Sequence, residues 1–352
     1  MKIGILTFHW ASNHGAILQA FALQKYLQMQ DEGNEVVIID YYPQKYDKNF
    51  KWLLKSLNPI AIKKKLREYR KETKLKSFRA RLKKTNRFFS TAELHEELLD
   101  YDVLITGSDQ VWNEAFTLRG EGKITKAYYL PFEKVKIRIS YAASFGYSVM
   151  SEEIKSIIVP LLKSLSAISV REKSGQKMLE EIGIQSQLVC DPTLLLPAQE
   201  YEKLTKIEPQ KPYIAKYILR RQDVETNVLI DAIIRMCRHD EPVIDIEMTA
   251  IDEWLSKIYN ASMLITNSFH GVVFALIFHT PFWVFLENTT GKGMNDRLLT
   301  LLSSVNLQDR IVRDVSMANG EDQPIDWNSV DNMIGIISAD SKAFLKKSLE
   351  EK

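Results

Sequence analysis

Cysteine is nearly absent from this sequence. Cys190 and Cys237 stand far apart with no close Cys–Cys spacing and no paired histidines, which leaves no disulfide framework and no zinc site. Both read as core thiols. Long apolar runs are missing too. The best candidate, Val272 to Leu286, is broken by His279 and Pro281, short of the roughly 18 uninterrupted residues that a bilayer-spanning helix needs. Met1-Lys2-Ile3-Gly4-Ile5-Leu6 runs directly into polar His9 and Asn13 with no apolar targeting stretch and cleavage site, so the cytoplasm is the expected location. A net charge of +2 supplies no general pull toward nucleic acid. The first turn holds Gly15 alone in place of Gly-x-Gly-x-x-Gly, which argues against NAD or FAD.

What remains is a globular composition, 45% apolar and 26% charged, in a chain of 352 residues that can build two cores. Strands and helices alternate along it. Lys2 to Phe8 reads as a buried strand, Gly15 to Gln28 as a helix and Glu35 to Asp40 as the next strand. Strands follow at Asp102 to Thr106, Ile137 to Ala143 and Ala167 to Val170, with helices over Ser90 to Asp100, where Ser90 and Glu93 form a capping box, and over Ser151 to Ser164. After Pro192 and Pro197 the pattern restarts. Tyr213 to Leu219, Val243 to Ile246, Met263 to Thr266 and Phe282 to Phe285 read as strands. Helices are expected near Val224 to Cys237, Asp252 to Asn260, Gly271 to Phe278 and Asn295 to Ser303, and a last one over Ser329 to Leu349. This alternation predicts an α/β protein with parallel sheets in two Rossmann-like domains, with a cleft between them. The expected boundaries are 1–192, 193–325 and a C-terminal helix over 326–352.

Polar residues collect at strand ends, where an open parallel sheet binds its ligands. Leu264-Ile265-Thr266 runs into Asn267, Ser268 and His270, which either face a ligand or merely cap the helix that follows. Asn13-His14-Gly15 opens the first helix, where backbone donors favour an anion or a sugar hydroxyl; ordinary turn chemistry is the competing reading. Gly107-Ser108-Asp109-Gln110-Val111-Trp112-Asn113 offers more hydrogen-bonding capacity than a plain turn requires. Trp112 reads either as core or as a platform for a sugar ring. Arg171-Glu172 closes another strand, as an anion clamp or as a pair bracing a helix start.

One region breaks the charge balance. From Lys51 to Lys84 there are fourteen Lys or Arg and only Glu68 and Glu72 as acids, with apolar residues at helical spacing. It reads as a basic helical insertion over 51–87, either a solvated face or a surface for anionic lipid or a polyanionic substrate. Aromatics suited to base stacking are sparse there, so nucleic acid is not an expected partner.

Taken together and in order, Asn13 to Ala20, Gly107 to Asn113, Ser169-Val170-Arg171-Glu172 and Thr266 to Gly271 resemble the polysaccharide pyruvyl transferase family, over Lys2 to about Leu302. The resemblance implies a GT-B-like fold whose C-terminal helix crosses back to the first domain. It also implies transfer of pyruvate from phosphoenolpyruvate, as co-substrate, onto a sugar of a cell-surface polysaccharide precursor such as capsule or exopolysaccharide. The product is a ketal or an enol ether, and phosphate is released. The histidine of the last motif, His270, is the family's central catalytic or donor-binding residue, and Lys292 stands where members place a donor-binding lysine. A donor with a carboxylate and a phosphate needs cations, for which Arg171, Lys292 and Arg297 are candidates. Asp109 is expected to activate or orient the acceptor hydroxyl, with Asn13, His14, Gly15, Ser108, Gln110, Trp112 and Asn113 on the acceptor side. Many members carry arginine where this chain has Ser268, and tyrosine where it has His14, so Ser268 is the donor-side position that departs from the pattern. No clustered carboxylates call for a metal, and neither metal nor cofactor is expected. The acceptor is a nucleotide-linked or lipid-linked sugar, the latter placing the protein against the inner membrane face. The rivals are a GT-B glycosyltransferase using a nucleotide sugar and a non-catalytic sugar-binding protein of envelope assembly.

Overall fold

The computed structural model describes residues 1–43, 46, 58–121, 125–206, 211–220, 222–237, 241–287, 295–314 and 324–350. The chain divides into two compact units, Met1–Leu196 with Gly291–Asp296 and Ile337–Lys352, and Pro197–Thr290 with Arg297–Ile336.

In the first unit β1 (Lys2–Leu6), α1 (His14–Gln30), β2 (Glu35–Tyr41), α2 (Pro59–Arg79), β3 (Lys84–Phe88), α3 (Thr91–Glu97), β4 (Val103–Thr106), α4 (Glu114–Glu121), β5 (Ile137–Ala143), α5 (Glu152–Leu162), β6 (Ala167–Val170), α6 (Lys173–Glu181) and β7 (Gln187–Leu188) follow in order. The strands form one parallel sheet ordered β3-β2-β1-β4-β5-β6-β7. Ile3, Ile5, Leu104, Ile105 and Ile139 are wholly buried because helices cover the sheet. Each such side chain contributes roughly 1.5–3 kcal/mol relative to exposure. Ser90 caps the helix as expected, its Oγ accepting from Glu93 N at 3.4 Å, while Glu93 Oε2 reaches one residue past the expected partner Ser90 N and accepts from Phe89 N at 2.9 Å.

In the second unit β8 (Ile214–Tyr217), α7 (Val224–Cys237), β9 (Val243–Asp245), α8 (Ile251–Tyr259), β10 (Met263–Thr266), α9 (Phe269–Ile277), β11 (Phe282–Phe285), α10 (Asp296–Ser304) and β12 (Ile311–Val312) build a parallel sheet ordered β12-β11-β10-β8-β9. Its core joins Ile214, Met263, Ile265, Trp283 and Phe285 to Ile230 and Ile233 of α7. The last helix, α11 (Trp327–Glu350), begins among residues of the second unit and ends among those of the first. Two parallel-sheet α/β units of Rossmann type, with a C-terminal helix returning to the first, are therefore present as expected.

Two features differ from the sequence expectation. The expected helical insertion over 51–87 is helical only from Pro59 to Arg79 within the described residues. Lys84–Phe88 is the edge strand β3, paired parallel to β2. Its Lys-Thr-Asn-Arg sequence has no apolar alternation because an edge strand tolerates charge and gains from it. The first unit also runs to Leu196, four residues past the expected boundary at 192. Asp191 and Leu194 still bond within that unit, Asp191 to Arg171 at 2.7 Å and the Leu194 carbonyl to Ser338 Oγ at 3.0 Å.

β3 also completes a charged cluster. Asp40, at the end of β2, bonds His9 Nε2 at 3.0 Å and lies 3.4 Å from Arg87 Nε and 3.8 Å from Lys84 Nζ. Burial alone would push the Asp40 pKa up. The His9 hydrogen bond and the charges of His9, Arg87 and Lys84 outweigh it and hold the pKa at about 2. Burial pulls the His9 ring the other way, toward its neutral form, so Asp40 is the member that stays ionised. Because its folded pKa lies below its unfolded value, Asp40 stabilises the fold fully above about pH 4 and loses that contribution as pH falls toward 2. Asp40→Asn is expected to cost about 2 kcal/mol at neutral pH. Urea unfolding across pH checks this, the two proteins' curves converging in acid.

Candidate functional site

In each sheet the strand order reverses at one point, and a ligand binds outside the carboxyl ends of the two strands that flank such a reversal. In the first unit these are β1 and β4, since β2 and β3 lie to one side and β5 to β7 to the other. The loops leaving β1 and β4 carry Asn13-His14-Gly15 and Gly107–Asn113, two of the stretches singled out in the sequence. They are joined by a hydrogen bond from Thr7 Oγ1 to the Ser108 carbonyl at 3.0 Å.

The Gly107–Asn113 loop is tightly built. Gly107 has φ +110°, and a Cβ there would fall 2.2 Å from the Tyr141 carbonyl oxygen, so no other residue fits. Asp109 follows at φ 71°, a left-handed conformation that aspartate tolerates better than most residues. The loop's polar side chains are largely bonded inward. Ser108 Oγ lies 3.1 Å from both the Ala142 carbonyl and Asp191 Oδ2, and Asn113 Nδ2 donates to Gln110 Oε1 at 2.6 Å. Among residues 107–113 only Asp109 is not fully buried. Its Oδ1 accepts from Arg171 Nη2 at 3.0 Å and from Gln110 N at 2.9 Å. Asp109 is thus held by one oxygen and reaches the surface at the switch point.

Arg171 holds this loop from beneath. Its guanidinium donates to Asp191 Oδ2 at 2.7 Å and to Asp109, with Ser108 Oγ 3.3 Å from Nη1. Burial works against its charge, but Asp109, Asp191 and Glu172 outweigh that and raise its pKa. Glu172 meanwhile accepts from Phe145 N at 2.9 Å, and Asp191 also accepts from Thr193 N and Oγ1 at 3.1 and 2.7 Å.

In the second unit the order reverses between β8 and β10. Asn267 bridges the ends of these strands with its amide, accepting from Leu219 N at 2.7 Å and donating to the Leu219 carbonyl at 2.9 Å. Thr266 Oγ1 donates to the Tyr217 carbonyl at 2.7 Å and accepts from Ser268 N at 3.0 Å. Ser268 caps α9 by accepting from Gly271 N at 3.3 Å. Gly271 is required: a Cβ there would meet Thr266 Oγ1 at 2.6 Å, and that hydroxyl is anchored. His270 therefore sits in the first turn of α9, next to the reversal, with its ring edge-on to Phe269 at 5.2 Å. The Arg297 guanidinium lies over the other participant in that contact, 5.7 Å from the Phe269 centroid.

These placements revise several expected roles. Trp112 is no sugar platform. It is wholly buried, stacked 5.8 Å from Tyr129, and its indole donates to the Tyr128 carbonyl at 3.0 Å. Arg171, expected on the donor, is instead committed to two carboxylates. His14, Gly15, Ser108, Gln110 and Asn113 are buried around the loops they build, whereas Asn13 is half-buried and caps α1 by accepting from Ala16 N at 3.2 Å. Ser268 serves as a helix cap. Lys292 lies outside the described residues. Asp191 is a member of this network that the sequence reading does not single out, because the partners it joins, Arg171 and Ser108, lie 20 and 83 residues away along the chain. Asp100-Tyr101-Asp102 stands at the amino end of β4, the end opposite the switch point, where Asp102 accepts from Lys2 N at 2.7 Å.

The family model described as polysaccharide pyruvyl transferase matches residues 13–289 of the chain. No curated protein matches it in sequence. Among solved structures, it is similar to UDP-GlcNAc 2-epimerase of Methanocaldococcus jannaschii in complex with UDP-GlcNAc and UDP, at 13% identity over 96% of this chain and 100% of that one, with a TM-score of 0.44. UDP-GlcNAc 2-epimerase of Neisseria meningitidis bound to UDP-GlcNAc gives 11% identity over 99% and 100%, with a TM-score of 0.49. A glycosyltransferase from Rickettsia africae gives 10% over 100% and 99%, with a TM-score of 0.49.

Proposed function

Since the chain belongs to the polysaccharide pyruvyl transferase family, and is therefore a transferase moving pyruvate in polysaccharide biosynthesis, we propose that its donor is phosphoenolpyruvate and its acceptor a sugar of a cell-surface precursor. The observation that carries the reading is His270, set in the first turn of a helix beside the strand reversal of its unit. The N–H groups of that turn favour an anion, and Arg297 adds a cation over the neighbouring Phe269 ring. In this reading His270 and Arg297 serve the carboxylate and phosphate of the donor, and Asp109 and Asn13 serve the acceptor hydroxyl.

The step follows from the donor's chemistry. A proton is added at C3, giving C2 oxocarbenium character, and the acceptor oxygen bonds to C2 while its own proton passes to a base. The C2–O bond to phosphate then breaks, with its electron pair leaving on phosphate. A second hydroxyl closing on C2 gives a ketal; loss of the added C3 proton gives an enol ether. His270 is assigned a proton transfer from its place in the first turn of α9 beside the strand reversal and from the role that the histidine of this motif has in the family. Asp109 is assigned to the acceptor hydroxyl, through the oxygen that Arg171 does not hold. The reading includes no metal or cofactor.

Among the described residues no helix is long and apolar enough to cross a membrane. A lipid-linked acceptor would be met by peripheral contact at the cytoplasmic membrane face, and this is the acceptor we propose. The test is product analysis with phosphoenolpyruvate, nucleotide sugars and lipid-linked sugars. Inorganic phosphate released only when donor and acceptor are both present supports pyruvyl transfer. Release of nucleoside diphosphate without use of phosphoenolpyruvate would mark a glycosyltransferase and end the reading.

A further inference from the structure

We propose that the outer face of α2 is a docking surface for an anionic lipid bilayer, which would bring the first unit to a lipid-carried acceptor; the inference thus rests on the lipid-linked reading above. Ile60, Lys63, Arg67, Arg70 and Lys74 recur at i, i+3, i+7, i+10 and i+14, so they share one stripe of the helix. All five are exposed, Ile60 by 82%. The only acids in the helix, Glu68 and Glu72, lie off this stripe and are half-buried. Packing takes the adjoining face and the far end of the helix: Leu75 and Phe78 are buried, and Phe78, about five turns on from Ile60, packs against Phe21 of α1 at 5.4 Å between ring centroids. A row of same-sign charge headed by an exposed isoleucine matches a bilayer surface, whose anionic headgroups attract the cations and whose interface accepts the apolar side chain. Nucleic acid fits less well, because no exposed aromatic on the stripe offers a base a stacking partner.

The helix is also fastened to the acceptor side of the unit. Glu72 pairs with Arg79 and accepts from Ser12 Oγ at 2.8 Å, while Arg79 Nη2 reaches the Ala11 carbonyl at 3.4 Å. Ala11 and Ser12 lead directly into Asn13 and the start of α1. A bilayer bound along the stripe would therefore orient the loop that leaves β1, one of the two at the strand reversal.

The full chain is to be sedimented with vesicles of phosphatidylcholine alone and of equal parts phosphatidylcholine and phosphatidylglycerol, at low and high salt. Binding is expected only to the anionic vesicles and should weaken with salt. Lys63→Gln/Arg70→Gln/Lys74→Gln should lower partitioning about a hundredfold, each cation near an anionic surface being worth about fivefold. Ile60→Ser should lower the part that survives high salt. These side chains are exposed, so both variants should keep the native melting temperature and unchanged kcat/KM with a water-soluble sugar acceptor. Equal binding to neutral and anionic vesicles, anionic binding unmoved by the triple substitution, or binding to DNA without binding to vesicles would each overturn the proposal. Docking by a protein that transfers pyruvate to no acceptor would uphold the surface and defeat the pyruvyl-transfer reading. Transfer without docking would do the reverse.

Discussion

His270→Asn is expected to lower phosphoenolpyruvate-dependent phosphate release by about 10²- to 10⁴-fold, the range typical of a lost acid or base. Asparagine is the informative replacement because the ring is nearly buried beside Phe269. An amide retains polarity and part of the volume, whereas alanine would add a packing loss to the chemical one. The melting temperature should therefore change little. The measurement is a continuous phosphate assay at saturating donor, with circular dichroism as the check on folding. If His270 only capped or packed α9, the variant would keep its turnover, and Arg297 with the helix N-terminus would be left to account for catalysis. A rise in KM for phosphoenolpyruvate with kcat unchanged would instead make the residue a donor contact and remove its assigned proton transfer.

Arg171→Met should be the most destabilising single change, costing about 3–5 kcal/mol because it leaves Asp109 and Asp191 facing one another without their common cation. Methionine preserves much of the side chain's bulk, so the loss reports charge and hydrogen bonding more than a cavity. Urea unfolding gives the cost directly. Activity should fall as well, through the Gly107–Asn113 loop, since Asp109 would lose the contact that fixes its Oδ1. A donor-gripping arginine predicts a different pattern: near-native stability with a large rise in KM for phosphoenolpyruvate. That result would return Arg171 to the donor and sink its assignment as a positioning residue. Asp191→Asn offers an independent check on the same network. It keeps the shape and one acceptor oxygen while removing a charge, and should destabilise by less than Arg171→Met.

The order of strands and helices was legible before any coordinates because it is written in short-range pattern. Ile137 to Ala143, Ala167 to Val170, Met263 to Thr266 and Phe282 to Phe285 are short stretches between breakers, and all four are strands with those limits. Helices cover both faces of a parallel sheet, so Phe282 to Phe285 is apolar throughout and even the polar Arg138, Ser140 and Ser169 are buried. β3 was missed for the converse reason: at the sheet's edge, its Lys84 and Arg87 satisfy Asp40 instead of a core. The strand-end motifs were also legible as loops rich in polar and glycine residues, and the model of the family covers them.

The occupations of those polar residues were not legible. Arg171 could be read as an anion clamp or as a brace, and Trp112 as a platform or as core, since residue type allows both. The choice belongs to partners distant in the chain, Asp191 and Asp109 for the arginine and Tyr129 for the indole. By itself the sequence determined two parallel α/β units, their helix starts and the strand ends at which ligands are bound, because periodicity and capping act over a few residues. Only the tertiary structure decided which of the polar side chains at those ends are held inside, as Arg171, Ser108 and Gln110 are, and which remain at the surface, as Asp109 does. A charge or a hydroxyl is satisfied by whatever the fold brings within hydrogen-bonding distance, and that distance is set by packing rather than by position along the chain.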